Sequence, residues 1–295
     1  MSQEKIKQFI LQKVTENGIF DTEIPGVKLF REDRSIHCTP VIYEPAIIAI
    51  LSGSKEAILE GKKYQYDRSQ YMCCSMSLPV EAGSPKASVD NPLLGVYISL
   101  NVKAITELAI NIESTRTTRA KSGKDQTPQG LALSPWNDSF SDALWRLLQL
   151  SDDPTGRAVL GSVRLTELYY AVLTGGAGES ALRAFGIGNE IARAIEYLSA
   201  NIKQTVSIDD MASQIGMSRA VLHRKFKQAT MMSPIQFMKS LKLNSAAMKL
   251  TEGSNVSQAA LEVGYASSSQ FSREFKRMFG QSPKQWSQAC EIGGN

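Results

Sequence analysis

Two stretches near the end of the 295-residue chain place arginine, glutamine, serine and histidine side chains at helical spacing. They are "GMSRAVLHRKFKQATMMSP" at 216–234 and "GYASSSQFSREFKRMFGQSP" at 264–283, each opening on glycine and closing on Ser-Pro. Guanidinium and amide groups form paired hydrogen bonds with base edges, while lysine and arginine neutralise phosphates. The residue types therefore indicate nucleic-acid recognition rather than catalysis.

Each stretch separates into an apolar and a basic helical face. Leu222, Phe226 and Ala229 share the apolar face of the first, and Phe271, Phe275 and Phe279 share that of the second. The candidate DNA-binding residues on and around the opposite faces are Ser218, Arg219, Ala220, His223, Arg224, Lys227, Ser268, Ser269, Gln270, Arg273, Lys276 and Arg277.

A short helical pattern precedes each stretch, "SIDDMASQI" before the first and "SQAALEV" before the second. Helix, glycine-containing turn and helix make the helix-turn-helix pattern. The connecting segment 233–251 predicts a helix on the order of 28 Å long. That length could hold two recognition helices about one DNA turn, roughly 34 Å, apart. One basic helix face is usually only solvated, so the repetition is what favours DNA binding.

The charge is divided unevenly along the chain. Residues 186–295 carry 13 Lys and Arg against 8 Asp and Glu, whereas residues 1–185 carry 20 against 21. A basic domain is expected of a partner for phosphate. No apolar run approaches the length of a membrane span, and the N-terminal segment is charged where a signal peptide is apolar. We therefore expect a cytoplasmic protein without membrane contact.

The preceding part of the chain changes character several times. Residues 2–16 predict a helix, and short β-rich runs from about 24 to 100 predict an antiparallel sheet or barrel. Residues 113–130 predict an exposed loop, 138–174 a helical hairpin, and "GGAGES" and "GIGN" two flexible joints. The predicted class is α+β, with a short-stranded cupin-like β-barrel and helical hairpin in residues 1–185. Residues 186–295 are predicted to form an all-α domain with two helix-turn-helix units.

Catalytic and metal-binding patterns are missing from the sequence. The chain has two histidines, His37 and His223, which cannot make a multi-histidine metal site. No nucleophile elbow, P-loop or dinucleotide fingerprint occurs, so we expect no enzyme activity, cofactor or metal. The adjacent Cys73 and Cys74 are expected to be buried small hydrophobes; a redox or electrophile sensor is the alternative, and it requires a thiol of lowered pKa.

The C-terminal hundred residues resemble the DNA-binding domain of the AraC/XylS family of bacterial transcription regulators, above all through "VGYASSSQFSREFKRMFGQSP". The upstream half resembles an N-terminal domain of one family branch through "IPGVKLF", "VIYEP", "LSGSKEAILEGKKYQYD" and "SLPVEAGSPKAS". The resemblance implies base contacts from the residues that match the family pattern. These residues are Ala220, His223, Arg224, Ser268, Ser269, Gln270 and Arg273.

Two positions depart from the family pattern. Ala266 stands where an acidic residue is usual, and Met231 replaces a glycine after the first recognition helix. If Met231 is left-handed, it costs about 1 kcal/mol relative to glycine.

The sequence thus predicts a sequence-specific DNA-binding regulator controlled by a small-molecule effector. The candidate effector pocket comprises His37, Tyr43, Tyr66, Cys73 and Cys74. RNA polymerase is a candidate partner. A homodimer is expected through the surplus apolar face of the hairpin, with Leu168→Glu as the disrupting substitution. In a competing arrangement, the N-terminal helix at 2–16 covers this face within the same chain. The alternative is a cupin-like small-molecule-binding protein or enzyme whose C-terminal domain mediates protein contacts.

Overall fold

The computed structural model describes residues 2–115, 129–186, 189–204 and 206–293. It confirms the predicted combination of an antiparallel β domain followed by a helical domain. Within those ranges, no helix is both long enough and apolar enough to cross a membrane.

The strands of the described residues form two antiparallel sheets. The six-stranded sheet has the order β1-β2-β9-β4-β7-β10, and the four-stranded sheet has the order β3-β8-β5-β6. The strand bounds are β1 Gly18–Asp21, β2 Val27–Glu32, β3 Ile36–Tyr43, β4 Ala46–Ser52, β5 Ser54–Leu59, β6 Lys62–Asp67, β7 Gln70–Cys74, β8 Leu78–Ser84, β9 Leu93–Ser99 and β10 Leu131–Pro135.

Helices cover one side of the six-stranded sheet. Helix α1 (Ser2–Lys13) packs on β4, on β9 and on α3 (Asp138–Leu148), burying its apolar stripe Ile6, Phe9 and Ile10. Helix α2 comprises Val102–Thr115. The predicted hairpin is α3 followed by α4 (Pro154–Thr174), and the side chains of Asn137 and Asp153 cap the two helices.

Two connecting segments differ from the expectation. Residues 113–115 of the predicted loop end α2, and residues 116–128 lie outside the described residues. The stretch "GGAGES" is not a flexible joint, because α5 (Gly178–Phe185) begins within it. The apolar face of this short helix, including Leu182 and Phe185, is buried and fixes the connection.

The C-terminal part is helical, as predicted. Its helices are α6 Glu190–Ala200, α7 Ile208–Gln214, α8 Arg219–Thr230, α9 Pro234–Thr251, α10 Val256–Glu262, α11 Ser268–Phe279 and α12 Pro283–Gly293. The Ser-Pro that closes the first stretch starts α9: Ser233 and Gln236 form a reciprocal capping box, with Pro234 in the first turn. Helix α9 is the expected connection between the two helix-turn-helix units.

Two separate apolar clusters hold the described part of the chain together. The larger extends from the sheets through α6 and α7 into α8 and the first half of α9, where it includes Phe226 and Phe237. The smaller contains the second half of α9 with α10 and α11, including Phe271 and Phe275. The first helix-turn-helix unit therefore shares its core with the β domain, and the second unit does not.

Candidate DNA-binding surface and ligand cavity

The first helix-turn-helix unit consists of α7 and α8. The turn passes through Gly216, and the hydroxyl of Ser218 accepts a hydrogen bond from the Val221 amide to start α8. Leu222 and Phe226 are buried, so the opposite side of α8 faces outward as predicted. Ser218, Arg219, Ala220, Arg224 and Lys227 are exposed on or next to this side, and His223 is half-buried.

The second unit, α10 and α11, repeats this construction. Gly264 has a φ of +81° in the turn, and a side chain there would come within 2.4 Å of the Lys203 carbonyl oxygen. Only glycine meets both demands, which fixes the turn against the segment after α6. Ser267, one residue before the predicted contact residues, caps α11 through the Gln270 amide. Ser268, Ser269, Gln270, Arg273, Lys276 and Arg277 are all exposed.

Acidic side chains contact some of the predicted DNA-binding residues. Arg219 lies 3.1 Å from Asp209 of α7. The Gln270 side-chain amide donates to Glu274 at 3.4 Å, and Glu274 also accepts hydrogen bonds from Tyr265 at 2.8 Å and Lys239 at 3.0 Å. Burial acts to raise the pKa of Glu274, but these three hydrogen bonds outweigh it and lower the pKa. Glu274 thus orients Gln270 from within the same helix.

The two recognition helices end differently. Both have a left-handed residue after the last turn, Met231 with φ 65° after α8 and Gly280 with φ 76° after α11. Met231 therefore meets the condition under which the substitution for glycine has a steric cost. Because a methionine pays a steric cost there, the end of α8 is strained by about 1 kcal/mol relative to glycine.

The β domain contacts the first unit directly. Gly130, just before β10, donates its backbone N–H to the carbonyl oxygen of Ala229 in the last turn of α8 at 3.1 Å. Helix α9 packs beside strands β3 and β8. Two strands of the four-stranded sheet therefore pack against the helix that joins the two recognition helices.

A cavity of about 660 Å³ lies between the two sheets. Its walls are mainly apolar, with Phe30 and Tyr97 from the six-stranded sheet and Val41 and Tyr43 from the four-stranded sheet. The exposed Ile19 and Ile36 stand at its rim. The charged lining residues are Lys28, Arg31, Glu32 and Lys55. A mainly apolar cavity with a few charged groups is typical of a small-molecule site.

Of the five predicted pocket residues, Tyr43 lines this cavity. The Tyr66 hydroxyl lies 3.5 Å from the Tyr43 hydroxyl, but Tyr66 is fully buried behind the wall. His37 is exposed on β3, away from the lining. Cys73 and Cys74 lie on β7, outside the lining. The structure thus separates the five residues instead of gathering them in one pocket.

Both adjacent cysteines are buried, as expected of small hydrophobic residues. Cys73 lies on the same face of β7 as Tyr71, which stacks on Phe140 of α3, so helices cover that face as well. Burial raises the pKa of Cys73 to about 12 and also raises that of Cys74. The thiols therefore lack the lowered pKa that the sensor alternative requires.

Sequence reasoning missed Lys55 on β5. Its ammonium nitrogen lies 5.5 Å from the centre of the Phe30 ring and 6.0 Å from that of Tyr43. Burial lowers its pKa from 10.5 to about 8. The sequence shows a lysine near the start of the strand "SKEAIL". It does not show that this position faces a cavity.

Comparisons with known proteins agree with this architecture. Residues 23–180 match the model of the AraC-type transcriptional regulator N-terminus, and residues 211–289 match a helix-turn-helix domain. The raffinose operon transcriptional regulatory protein RafR of Pediococcus pentosaceus is 27% identical over 150 residues, which are 50% of this chain and 54% of RafR. The match thus spans about half the length of that relative.

Two solved structures share the fold at low sequence identity. The apo form of a lysine-to-alanine variant of ToxT from Vibrio cholerae is 15% identical, with a TM-score of 0.55 over 92% of this chain and 98% of that chain. ToxT of the same organism bound to an unsaturated fatty acid is 14% identical, with a TM-score of 0.52 over 92% of this chain and 96% of ToxT.

Proposed function

Because the chain belongs to the AraC-type transcriptional regulators, we propose that α8 and α11 read duplex DNA and that a small molecule in the inter-sheet cavity controls this binding. The observation that carries the proposal is the pair of exposed faces joined by one helix. Each face presents arginine near small or polar residues at the start of a recognition helix. Such groups read base edges in the major groove, and the lysines hold phosphates.

We assign the DNA-binding role to residues 186–295 and the sensing role to residues 1–185. The boundary falls between α5 and α6. With this DNA-binding role we also propose a cytoplasmic location and RNA polymerase as a further partner.

A gel shift with the DNA upstream of the protein's own gene tests the DNA-binding proposal. The expected result is a complex that resists competition by scrambled duplex and weakens steeply as salt rises, because phosphate contacts release counterions. Complexes of equal strength on all duplexes would contradict sequence-specific reading. A partner-protein interaction that is independent of salt would instead favour the alternative function.

We also propose a two-fold homodimer formed through α4. This helix exposes Val159, Leu160, Val163 and Tyr170 along one side, although its other side is buried. An apolar helix face without cover is typically an interface, and self-association is the most economical way to bury it.

The position chosen from sequence to break the dimer must change. Leu168 is 0% exposed, so Leu168→Glu would disrupt the fold, whereas Val163 is 56% exposed. In sedimentation experiments on the full chain, Val163→Glu should give a monomer. Val89→Glu, at a 76% exposed residue elsewhere on the β domain, is the matched control and should remain dimeric. A wild-type monomer at tens of micromolar would contradict the dimer.

A further inference from the structure

The charged residues of the inter-sheet cavity differ in how they are paired. Lys28 lies 3.4 Å from Asp21, Arg31 lies 3.7 Å from Asp33, and Glu32 lies 3.2 Å from Arg34. Among the described residues, no carboxylate lies within ion-pair distance of Lys55. Lys55 is thus the cation of this cavity that has no carboxylate partner.

The groups around Lys55 replace only part of the hydration that its ammonium group loses on burial. The faces of Phe30 and Tyr43 attract the ammonium group, but aromatic rings do not replace the hydration that burial removes. At neutral pH most of the lysine is nonetheless charged, because its pKa of about 8 lies above that range. An unpaired cation in an apolar cavity gains most from a ligand that brings a negative charge.

A second donor at the cavity lacks a partner. The Nε of Arg31 is buried without a hydrogen-bond acceptor among the described groups. Buried donors without acceptors are uncommon and call for an explanation. Arg31 lines the same cavity as Lys55, and a bound anion could supply the acceptor.

The apolar part of the cavity wall indicates the chemistry of the rest of the ligand. Val41, Ile48, Leu93 and Tyr97 make an apolar surface, and a cavity of about 660 Å³ lies within the range of sites for small organic ligands. A small inorganic anion would leave this surface uncovered. The geometry therefore demands a molecule that is apolar over most of its length.

We propose that the cavity binds an organic carboxylate with an apolar body, its carboxylate on the Lys55 ammonium and its body against the apolar wall. This assignment rests on the proposed function in one respect, that the cavity is the effector site. It adds the chemical class of the effector and the residue that selects it.

Isothermal titration of the full-length protein with three eight-carbon probes tests the proposal. Octanoate, 1-octanol and octylamine share one apolar body and differ in the charge of the head group. We expect octanoate to bind at least about tenfold more tightly than 1-octanol, as a hydrogen bond to a charged group implies. Octylamine should bind most weakly, because it places a second cation beside Lys55.

Two substitutions at position 55 and one nearby separate the selecting charge from general cavity binding. Lys55→Met should abolish the preference for octanoate and keep the binding of 1-octanol. Lys55→Arg should keep the preference. Lys62→Met removes an exposed cation of the neighbouring strand β6, outside the cavity lining, and should leave the preference unchanged. The retained binding of 1-octanol shows that the Lys55→Met variant is folded.

Several results would overturn the proposal. These are equal binding of the three probes by the wild type, an octanoate preference that survives in Lys55→Met, or no binding of any probe. A gel shift on the same preparations keeps this outcome distinct from the proposed function. Specific DNA binding without octanoate preference refutes the carboxylate site alone, and Lys55-dependent octanoate binding without DNA binding refutes the regulator function alone.

Discussion

The two helix-turn-helix units are built alike but are embedded differently. Both use a glycine turn, a serine cap and a left-handed residue after the recognition helix. The first unit shares its apolar cluster with the β domain, whereas the second has its own cluster, in which Phe279 and Trp286 each pack edge to face with Phe275. The same helix-turn-helix pattern can therefore pack into the core of the β domain or form an apolar cluster of its own.

This difference assigns separate tasks to the two units. The β domain contacts α8 through a shared apolar cluster and the Gly130 to Ala229 hydrogen bond. It is connected to α11 through α9, which packs on β3 and β8 and also contacts α11. We therefore expect the first unit to respond to ligand and the second to anchor the protein on DNA.

The largest effect on stability should come from removing one buried aromatic ring from each apolar cluster. Phe226→Ala and Phe271→Ala remove fully buried rings, and each should lower the free energy of unfolding by about 3 to 5 kcal/mol. In hydrogen-exchange mass spectrometry, Phe226→Ala should also lower protection in β3 and β8. Phe271→Ala should confine the loss to the second half of α9 and to α10, α11 and α12. Equal losses in β3 and β8 for both variants would remove the distinction between the units.

A substitution in the cavity tests the same coupling from the β domain. Burial lowers the pKa of Lys55 from 10.5 to about 8, and each pH unit of displacement corresponds to about 1.4 kcal/mol. Lys55→Met should therefore raise the free energy of unfolding at pH 7 by up to about 3 kcal/mol. Protection should rise in the first unit more than in the second.

The pH dependence of that gain has a definite sign. Below pH 8 the lysine is charged in both states, so the wild type bears the full cost of burial. Between pH 8 and 10.5 the folded lysine loses its proton while the unfolded one keeps it, so the wild type gains stability and the difference between the proteins shrinks. Burial raises the pKa of Tyr43 and of Tyr97, so both tyrosines ionise at higher pH than an exposed tyrosine. Urea titrations across this range measure the difference; a constant difference would contradict a buried charge at Lys55.

The anchoring role of the second unit can be tested at Arg273. Arg273→Ala should weaken specific DNA binding by about 1 to 3 kcal/mol and relax the preference at one base position, since a bidentate contact is lost. Lys276→Ala, the control in the same exposed face, should weaken all duplexes alike. Fluorescence anisotropy on specific and scrambled duplexes gives both numbers. If Arg273→Ala weakened every duplex equally, Arg273 would be a phosphate contact.

The smallest effect concerns the two helix ends. Met231→Gly should raise the free energy of unfolding by up to about 1 kcal/mol, because glycine adopts the left-handed conformation without steric cost. Gly280→Ala should lower it by a similar amount for the converse reason. Urea denaturation resolves changes of this size in one host protein. A loss of stability in Met231→Gly would show that the Met231 side chain contributes more than its strain costs.

Helical periodicity made much of this fold predictable. The stripes of α1, α3, α8 and α11 each gave the buried face, since one helix face meets one core. The buried face of α4 was only partly predictable. Its sequence is apolar on more than one side, and packing decides that Leu168 is buried while Val163 is exposed.

The cavity could not be predicted in the same way. Which residue of a strand lines it depends on pairing register, and β3 contains an irregularity between Ile36 and Thr39 that shifts the alternation against β8. His37 falls outside the lining for this local reason, and Cys73 because β7 is covered on both faces. Lys55 was overlooked because a lysine in a short strand is usually solvated.

The strands β3 and β8 line the cavity on one side and accompany α9 outside it. A thermodynamic consequence is reciprocity. Any factor by which a cavity ligand changes DNA affinity through these strands must equal the factor by which DNA changes ligand affinity. Binding of both recognition helices to a promoter therefore changes the ligand affinity of the bound protein. The bound protein then responds at a different ligand concentration from the protein that is free in solution.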